Sequence, residues 1–211
     1  MPPASAPRKA IIDAAHELIQ ESGGSFTTQE LIKRAGVALQ TFYRHFESKD
    51  RLLLAVITEL IAENCEAFAR RAAGLDGPIE RLRAYVTTAL ESLHTAGGSA
   101  RFITSEHWRL QQLFPQEVAA ATKPFADLVQ KELETGNAAG VLTSADTERD
   151  AWLIMTVVLS VYHEFSFLPD DPRNATVAED VWEFCLAAVG GRPAPARRGR
   201  RSLTRARPPA P

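Results

Sequence analysis

Hydrophobic positions recur along most of this chain at the three- and four-residue spacing that is typical of amphipathic helices. Starting from Ile11, apolar residues fall at i, i+4, i+7 and i+8, which gives the segment 8–22 one apolar face. The pair Gly23-Gly24 ends this first helix. No segment shows a convincing alternation of polar and apolar positions of the kind found in strands. The pattern therefore predicts an all-α protein.

Two short helices follow the first one. Thr27 can cap a helix over residues 28–34, and Glu30 can complete a capping box with Thr27. Gly36 lies in the tight turn that leads to a third helix over residues 39–45. A short helix, a tight turn and a second short helix predict a helix-turn-helix, whose second helix enters the major groove of DNA.

Glycines and prolines divide the rest of the chain into helices. Ser48 can cap a fourth helix that runs to about Ala73, Ser144 can cap a later helix, and Pro124 is expected to kink or split its own helix. Breaks are expected at Gly77-Pro78, Gly97-Gly98, Pro115, 136–140, 169–172 and Gly190-Gly191. Further helices are predicted near 78–96, 100–113, 116–135, 145–167 and 175–189, which makes about nine in total.

This pattern divides the chain into four regions. Residues 8–52 form a three-helix helix-turn-helix domain, and the long fourth helix joins it to a larger helical bundle over residues 53–190. Residues 1–7 are predicted to be a disordered N-terminus, and residues 191–211 a disordered tail rich in arginine and proline.

Composition is ordinary for a globular protein, with 45% hydrophobic and 24% charged residues. No apolar run approaches the length of about 18 residues that a membrane span needs, and the N-terminus lacks the apolar stretch of a secretory signal. Cys65 and Cys185 are far apart and lie in apolar helical contexts, which favours free thiols in a reducing compartment. We therefore expect a cytoplasmic protein without a membrane partner.

Charge is unevenly spread along the chain. The net charge is −2, but the segment 192–211 carries seven arginines and no acid, so the rest carries −9. Residues 1–51 have a net charge of only +1, which is weak for a nucleic-acid binder. DNA binding by the helix-turn-helix must therefore depend on where its polar groups lie. The arginine tail is either a non-specific aid to DNA binding or a solvated segment without a role.

The third helix has the two faces that a recognition helix needs. Phe42 and Phe46, four residues apart, supply its apolar face. Its other face offers hydrogen-bonding groups, and a glutamine there suits bidentate contact with adenine. These groups are Gln40, Thr41, Arg44 and His45. Backbone N–H groups at the helix starts beside Thr27, Thr28 and Ser48 can bind phosphates.

The motifs Ala35-Gly36-Val37, residues 41–46 (Thr-Phe-Tyr-Arg-His-Phe), Ser48-Lys49-Asp50 and Leu52 resemble those of the TetR family of bacterial transcriptional regulators. The resemblance covers about the first quarter of the chain. It implies an all-α homodimer with an N-terminal DNA-binding domain and a C-terminal domain that senses a ligand and dimerises. It also implies phosphate contacts from Tyr43 and Lys49, and base contacts from Gln40, Thr41 and Arg44. Ala38 departs from the family's usual serine or threonine, which puts one phosphate or capping contact in doubt.

The C-terminal region is rich in aromatic and aliphatic residues, which is typical of a small-molecule site but equally of a packed core. Its candidate ligand contacts are Phe102, His107, Trp108, Phe125, Met155, Tyr162 and His163. A hydrophobic effector is the expectation. No Cys/His cluster has the spacing of metal ligands, and His107 and His163 each stand beside a glutamate that points another way on a helix. We expect no metal and no cofactor.

The last two predicted helices, 145–167 and 175–189, carry more apolar surface than a monomer easily hides. These apolar residues are Trp152, Ile154, Val158, Val161, Tyr162, Val181, Trp182 and Leu186. Two protomers could pair these helices with two-fold symmetry, which in turn predicts a palindromic operator in double-stranded DNA.

The function expected from the sequence is that of a ligand-responsive regulator, most simply a repressor released from DNA by its effector. Two alternatives stay open. One is an all-α enzyme, although the chain has no Gly-rich phosphate loop, HExxH or CxxC motif and we expect no catalytic activity. The other is a helical small-molecule-binding module without a role in DNA binding.

Overall fold

A computed structural model describes residues 6–191, apart from the side chains of residues 95–98. In this part of the chain the structure is entirely helical, as the sequence predicts, with nine α-helices and one short 3-10 helix, Pro172–Ala175. The α-helices are α1 (Ala6–Ser22), α2 (Thr28–Ala35), α3 (Leu39–His45), α4 (Lys49–Ala72), α5 (Gly77–Glu91), α6 (Leu93–Leu113), α7 (Pro115–Ala138), α8 (Thr147–Phe167) and α9 (Val177–Ala188).

Local sequence signals set the ends of the short N-terminal helices. The Thr27 hydroxyl accepts the Glu30 N–H at 3.2 Å, and the Glu30 carboxylate accepts the Thr27 N–H at 2.7 Å, so the predicted capping box forms. Gly36 ends α2 in the left-handed region at φ +64°, where its N–H is bonded to the carbonyl of Ile32. Ala38 contributes no side-chain cap to α3. These caps place α3 beyond α2 across one tight turn.

Two apolar clusters hold the molecule together. The first contains the apolar faces of α1 to α3 and the first half of α4, from Leu52 to Ile57. The second lies between the second half of α4 and the helices α5, α7, α8 and α9, and includes Leu82, Val129 and Leu186. Helix α4 therefore belongs to both clusters and joins the two parts of the chain.

Two further helices carry the first cluster beyond the N-terminal segment. Leu110 of α6 and Val118 of α7 are buried in it, and Phe102 and Phe114 pack against it. The N-terminal helices are thus packed against the bundle by α6 and the start of α7. A movement of α6 would consequently change the packing in both parts of the molecule.

One predicted break is wrong. We expected a break at Gly97-Gly98, but α6 runs through these residues, and the chain turns instead at Ser92, between α5 and α6. A glycine inside a helix costs only about 1 kcal/mol relative to alanine. The burial of Ala100, Thr104 and Leu110 further along α6 can offset that cost.

Two details of the later helices decide between, or correct, what the sequence predicts. Pro124 lies inside the single helix α7 and does not split it. Asp146, not Ser144, caps α8, because its carboxylate accepts the Arg149 N–H at 3.0 Å. The Ser144 hydroxyl donates instead to Asp150, 2.7 Å away. The aspartate is the stronger cap since its negative charge also interacts with the helix dipole.

The apolar face expected on the last two helices is largely internal. Ile154, Val158, Val181, Trp182 and Leu186 are buried within the protomer, against α5 and α7 rather than free to meet a partner. Pattern alone cannot separate these two uses, since both faces of α8 and α9 carry apolar residues. The large apolar side chains that remain exposed on these two helices are Trp152, Leu153, Phe167 and Phe184.

The predicted ends of the chain are only partly within the described residues. Helix α1 begins at Ala6, so residues 6 and 7 of the predicted disordered N-terminus are helical. The remainder of that prediction, residues 1–5, and the tail from residue 192 onward lie outside the described residues. None of the helices in residues 6–191 is both long and apolar enough to cross a lipid bilayer.

Replacement of Gly36 tests the turn of the helix-turn-helix. In Gly36→Ala the new Cβ meets no atom within 4 Å, so the cost is purely that of the left-handed backbone, and we expect the free energy of unfolding to fall by about 1 kcal/mol. The matched control is Gly74→Ala, which also meets nothing within 4 Å but has no such φ angle. Urea denaturation should leave Gly74→Ala at or slightly above wild type. Equal loss in both variants would contradict this account.

Candidate nucleic-acid interface and ligand cavity

Helix α3 presents its polar face to solvent because its apolar face is fixed in the N-terminal core. Phe42 and Phe46 are buried there, and their rings lie 6.1 Å apart. Gln40 and Arg44 are exposed, and Tyr43 is 57% exposed with its ring edge against Phe42. These side chains are available for contacts with a groove and its phosphates.

Three other predicted DNA contacts are less exposed. Thr28 and Thr41 are half-buried, and His45 is half-buried with its Nε2 atom enclosed and without a hydrogen-bond partner among the described residues. Thr27 is exposed, but its hydroxyl is already used by the capping box with Glu30. The backbone at the start of α2 is therefore more available to a phosphate than the Thr27 side chain.

Lys49 has a structural role besides its predicted contact with DNA. Its ammonium donates to the carbonyl oxygen of Phe26 and lies 4.4 Å from the centre of the Phe26 ring. These contacts hold the start of α4 against the segment between α1 and α2. A phosphate contact from Lys49 would have to share the ammonium with that carbonyl.

Part of the positive charge of the N-terminal helices is already neutralised. Arg34 of α2 forms ion pairs with Glu17 and Glu21 of α1, the second through two hydrogen bonds of 2.7 and 2.8 Å. This pairing lowers the pKa of the Glu21 carboxylate. The exposed cation on α3 is Arg44, next to Tyr43. Placement of a few groups, not a general positive charge, is what this surface offers to DNA.

A cavity of about 140 Å³ lies in the C-terminal bundle, among helices α4 to α8. Its wall is mainly aliphatic and aromatic, with a small number of polar side chains, as is typical of small-molecule sites. The polar members are Asn64, Ser92, Thr104, His107, Thr122, Tyr162 and His163.

His107 of α6 and His163 of α8 meet at this cavity. Their ring centres are 4.9 Å apart and the ring planes are inclined by 52°. Burial lowers the pKa of both imidazoles, and repulsion by His107 contributes to lowering the pKa of His163 to about 4. Both rings are therefore neutral at pH 7.

The structure brings together five of the seven predicted ligand contacts. His107, Phe125, Met155, Tyr162 and His163 all line the cavity. The other two lie elsewhere on α6, because successive residues of a helix point in different directions. Phe102 packs in the N-terminal core near Gly24, and Trp108 is 56% exposed beside the His163 ring.

The sequence analysis missed one wall of the cavity, which comes from α4. Ile57, Ile61, Cys65 and Phe68 line it at helical spacing. We had assigned this helix to the connection between domains, although its regular apolar face was the available signal. Burial raises the pKa of the Cys65 thiol to about 11, so this cysteine is neutral and acts as an apolar wall atom.

Comparison with known families identifies both halves of the chain. Residues 11–56 match the model described as "Bacterial regulatory proteins, tetR family", and residues 75–187 match "Tetracyclin repressor-like, C-terminal domain". The chain belongs to the TetR family of transcriptional regulators. The resemblance inferred from the first quarter of the sequence is thereby confirmed, and it extends over most of the chain.

Solved structures with a similar fold include several regulators. The chain has a TM-score of 0.68 with FadR from Bacillus subtilis in complex with stearoyl-CoA, at 19% identity, covering 88% of this chain and 99% of that one. FadR from Bacillus halodurans gives 0.71 at 19% identity, covering 90% and 99%. RolR in complex with resorcinol gives 0.69 at 17% identity, covering 88% of each chain. At these identities the likeness concerns the fold alone.

As a TetR-family member, the chain carries its helix-turn-helix in α2 and α3. The cavity lies within the region that matches the tetracyclin repressor-like domain, except for the wall given by α4 and its residues 57–68. In the part of the chain that the structure describes, no three His, Cys, Asp or Glu side chains are grouped so as to hold a metal ion.

The neutral histidine pair makes stability depend on pH. Because the pKa of folded His163 lies near 4, below the unfolded value of about 6.5, only the unfolded chain takes up this proton as the pH falls between those values. The contribution of neutral His163 to the free energy of unfolding is fully present above pH 6.5 and is lost progressively as the pH falls towards 4. The free energy of unfolding of the wild type should fall between pH 7 and pH 5. We expect His163→Phe to make that fall smaller by on the order of 1 kcal/mol.

Urea denaturation of wild type and His163→Phe at pH 7, 6 and 5 checks this expectation. The comparison uses the change in unfolding free energy between pH values within each protein, so a uniform effect of the substitution on packing cancels. An identical pH dependence in the two proteins would show that His163 is not held neutral by its surroundings.

Proposed function

We propose that this TetR-family protein is a ligand-responsive repressor that binds a palindromic operator in double-stranded DNA as a homodimer. A small effector in the cavity of the C-terminal bundle releases it from DNA. The protein acts without catalysis and works in the cytoplasm, where the DNA is. The observation that carries the proposal is the exposed polar face of α3, held outward by two buried phenylalanines within a family-matched helix-turn-helix.

The DNA contacts divide into two groups. Gln40, Thr41 and Arg44 read base edges in the major groove, with His45 at the edge of that surface. Tyr43 and Lys49, with the backbone at the starts of α2 and α4, bind phosphates and fix the register of the helix on the duplex. Support for this division comes from exposure, since Gln40, Tyr43 and Arg44 are free of the protein core.

Release from DNA requires that the cavity and α3 be connected, and α6 supports such a connection. His107 of this helix lines the cavity. Two residues later, the Arg109 guanidinium donates to Asp50 at the start of α4 at 2.8 Å, and Leu110 is fully buried in the N-terminal core. A ligand that binds one position of α6 better than another would therefore change the position of the DNA-binding helices.

A second connection runs through the start of α7. Arg51 of α4 donates to Glu117 at 3.0 Å, and its guanidinium lies 4.1 Å from the centre of the Phe114 ring. The first turn of α4 thus contacts both α6 and α7. The effector acts on DNA affinity through these contacts, by as much as its affinity differs between the two arrangements.

Dimerisation is proposed to use the exposed apolar residues of α8 and α9, Trp152, Leu153 and Phe184, and not the larger buried set predicted from sequence. Phe184 is 64% exposed on a helix whose other face is in the core. A two-fold dimer carries two copies of α3, which a palindromic site with two half-sites requires.

Loss of the phosphate contacts tests the DNA-binding part of the proposal. We expect Tyr43→Ala with Lys49→Ala to weaken binding to a fragment of the protein's own promoter region by at least about tenfold and to reduce the salt dependence of binding. Fluorescence anisotropy between 50 and 200 mM salt measures both quantities. Tyr43→Ala alone should show part of the effect, and it leaves the Lys49–Phe26 contact intact.

The matched control for the charge is Lys123→Ala, on an exposed lysine of α7 that pairs with Asp127. It should leave DNA binding as in wild type. Circular dichroism first shows whether the double variant is folded. If a folded double variant binds DNA as tightly as wild type, the assignment of phosphate contacts to Tyr43 and Lys49 is wrong. A wild-type protein that binds no promoter fragment would favour the ligand-binding module without a role in DNA binding.

The dimer interface has its own test. Phe184→Glu places a charge on the proposed interface, and we expect the protein to change from dimer to monomer in light scattering at micromolar concentration, because an unpaired buried charge costs several kcal/mol. Leu113→Glu is the control, since Leu113 is a similarly exposed apolar residue at the end of α6. A monomeric wild type, or a Phe184→Glu variant that stays dimeric, would contradict this interface.

A further inference from the structure

One buried polar side chain in the cavity has no use in the protein itself. His107 is only 8% exposed, and neither of its ring nitrogens has a hydrogen-bond partner among the described residues. Of the buried side-chain polar atoms in this part of the chain, only His45 Nε2 shares that condition. An unpaired buried donor or acceptor destabilises a protein, so its presence on a cavity wall indicates a partner that comes from outside.

Three other polar groups of the wall already have hydrogen-bond partners. Thr104, one turn earlier on α6, accepts a hydrogen bond from the Ser166 hydroxyl at 3.0 Å. Thr122 donates to backbone carbonyls of its own helix, and Tyr162 is hydrogen-bonded to Ser92. Among the described residues of the wall, the fully enclosed polar atoms without a hydrogen-bond partner are therefore the two ring nitrogens of His107.

The wall also determines the charge that a ligand can carry. Among the described residues that line the cavity there is no Lys, Arg, Asp or Glu. The nearby imidazoles of His107 and His163 have lowered pKa values and are neutral at pH 7. An anion would enter without a counter-charge, as would a cation, and an unpaired charge in an apolar site is strongly disfavoured.

Size gives the third restriction. The cavity volume of about 140 Å³ is close to the roughly 150 Å³ of an apolar cavity that holds one benzene molecule. The apolar part of the wall includes Phe68, Phe125 and Met155, which suit a flat apolar body.

We propose that the effector is a small uncharged molecule, about the size of one aromatic ring, whose hydroxyl group is hydrogen-bonded by His107. This inference rests on the proposed function, since it names the ligand class of the same cavity. A neutral imidazole has one N–H and one lone pair, and a hydroxyl both donates and accepts, so it can pair with either ring nitrogen. His163, whose ring lies against His107, closes this end of the cavity.

Three probes of similar size separate hydroxyl, apolar body and charge. Phenol, toluene and benzoate are titrated into the purified full chain at pH 7.5 by calorimetry. We expect phenol to bind at least about tenfold more tightly than toluene, and benzoate not to bind measurably. Equal affinities for phenol and toluene would overturn the proposal, as would measurable binding of benzoate or no binding of phenol at millimolar concentration.

Variants of His107 assign the preference to this side chain. His107→Phe keeps an aromatic ring but removes both nitrogens, so phenol and toluene should bind within about twofold of each other, with toluene affinity retained. His107→Asn keeps a donor and an acceptor and should retain part of the preference for phenol, which guards against a packing effect. The control His94→Phe changes an exposed histidine outside this cavity and should leave both affinities unchanged. A preference for phenol that survives in His107→Phe would overturn the assignment.

The same protein preparations separate this inference from the proposed function. Binding to the promoter fragment is measured in parallel without any probe. If the protein binds DNA but has equal affinities for phenol and toluene, the proposed ligand class is contradicted and the proposed repressor function is not. If the protein prefers phenol through His107 but binds no promoter fragment, the proposed ligand class is supported and the proposed repressor function is contradicted.

Discussion

The burial of Leu110 in the N-terminal core constrains the whole molecule, because it fixes α6 between the cavity and the DNA-binding helices. The same helix carries His107 in the cavity wall and Arg109 at the first turn of α4. Within four residues of one helix, His107 thus lines the cavity and Leu110 lies in the N-terminal core. A rigid helix cannot shift at one of these places without shifting at the other.

The DNA-binding surface depends on geometry more than on charge. The N-terminal segment is almost neutral, and Arg34 is taken up by two glutamates of α1. What positions α3 is instead a set of local devices: the Thr27–Glu30 capping box, the left-handed Gly36 and the two buried phenylalanines. Because the N-terminal segment adds little net positive charge, individually placed contacts must supply more of its affinity for DNA.

These local devices are also the reason that the N-terminal part could be predicted closely from sequence. Capping and turn signals act within a few residues, and α3 was predicted with its observed ends. The later helices were harder, since tertiary packing decides between alternatives that the sequence leaves open. Packing carried α6 through Gly97-Gly98, and it turned the apolar residues of α8 and α9 into a core where the pattern had suggested an exposed face.

Prediction of the cavity shows the same limit. Aromatic residues on a helix can form a wall or a core, and only the relative rotation of the helices placed His107 and His163 together while turning Trp108 outward. The regular apolar face of α4 indicates a buried helix, but its place in the cavity wall depends on how the second half of that helix packs against α5 and α7. The residue types in the sequence predict an apolar cavity with a few polar groups. Which residues line that cavity is determined by the three-dimensional packing of the helices.

Magnitudes indicate which contact would transmit the action of an effector under the proposed function. The Arg109–Asp50 pair is more than a third exposed on both sides, and such surface pairs contribute at most about 1 kcal/mol. Allosteric coupling between two sites typically amounts to about 1–3 kcal/mol. The ion pair alone would account only for the lower end of that range. In the proposed mechanism the buried apolar contacts of Leu110 and Val118 with the N-terminal core are therefore the main link, since one well-packed buried leucine contributes more to stability than a solvated ion pair.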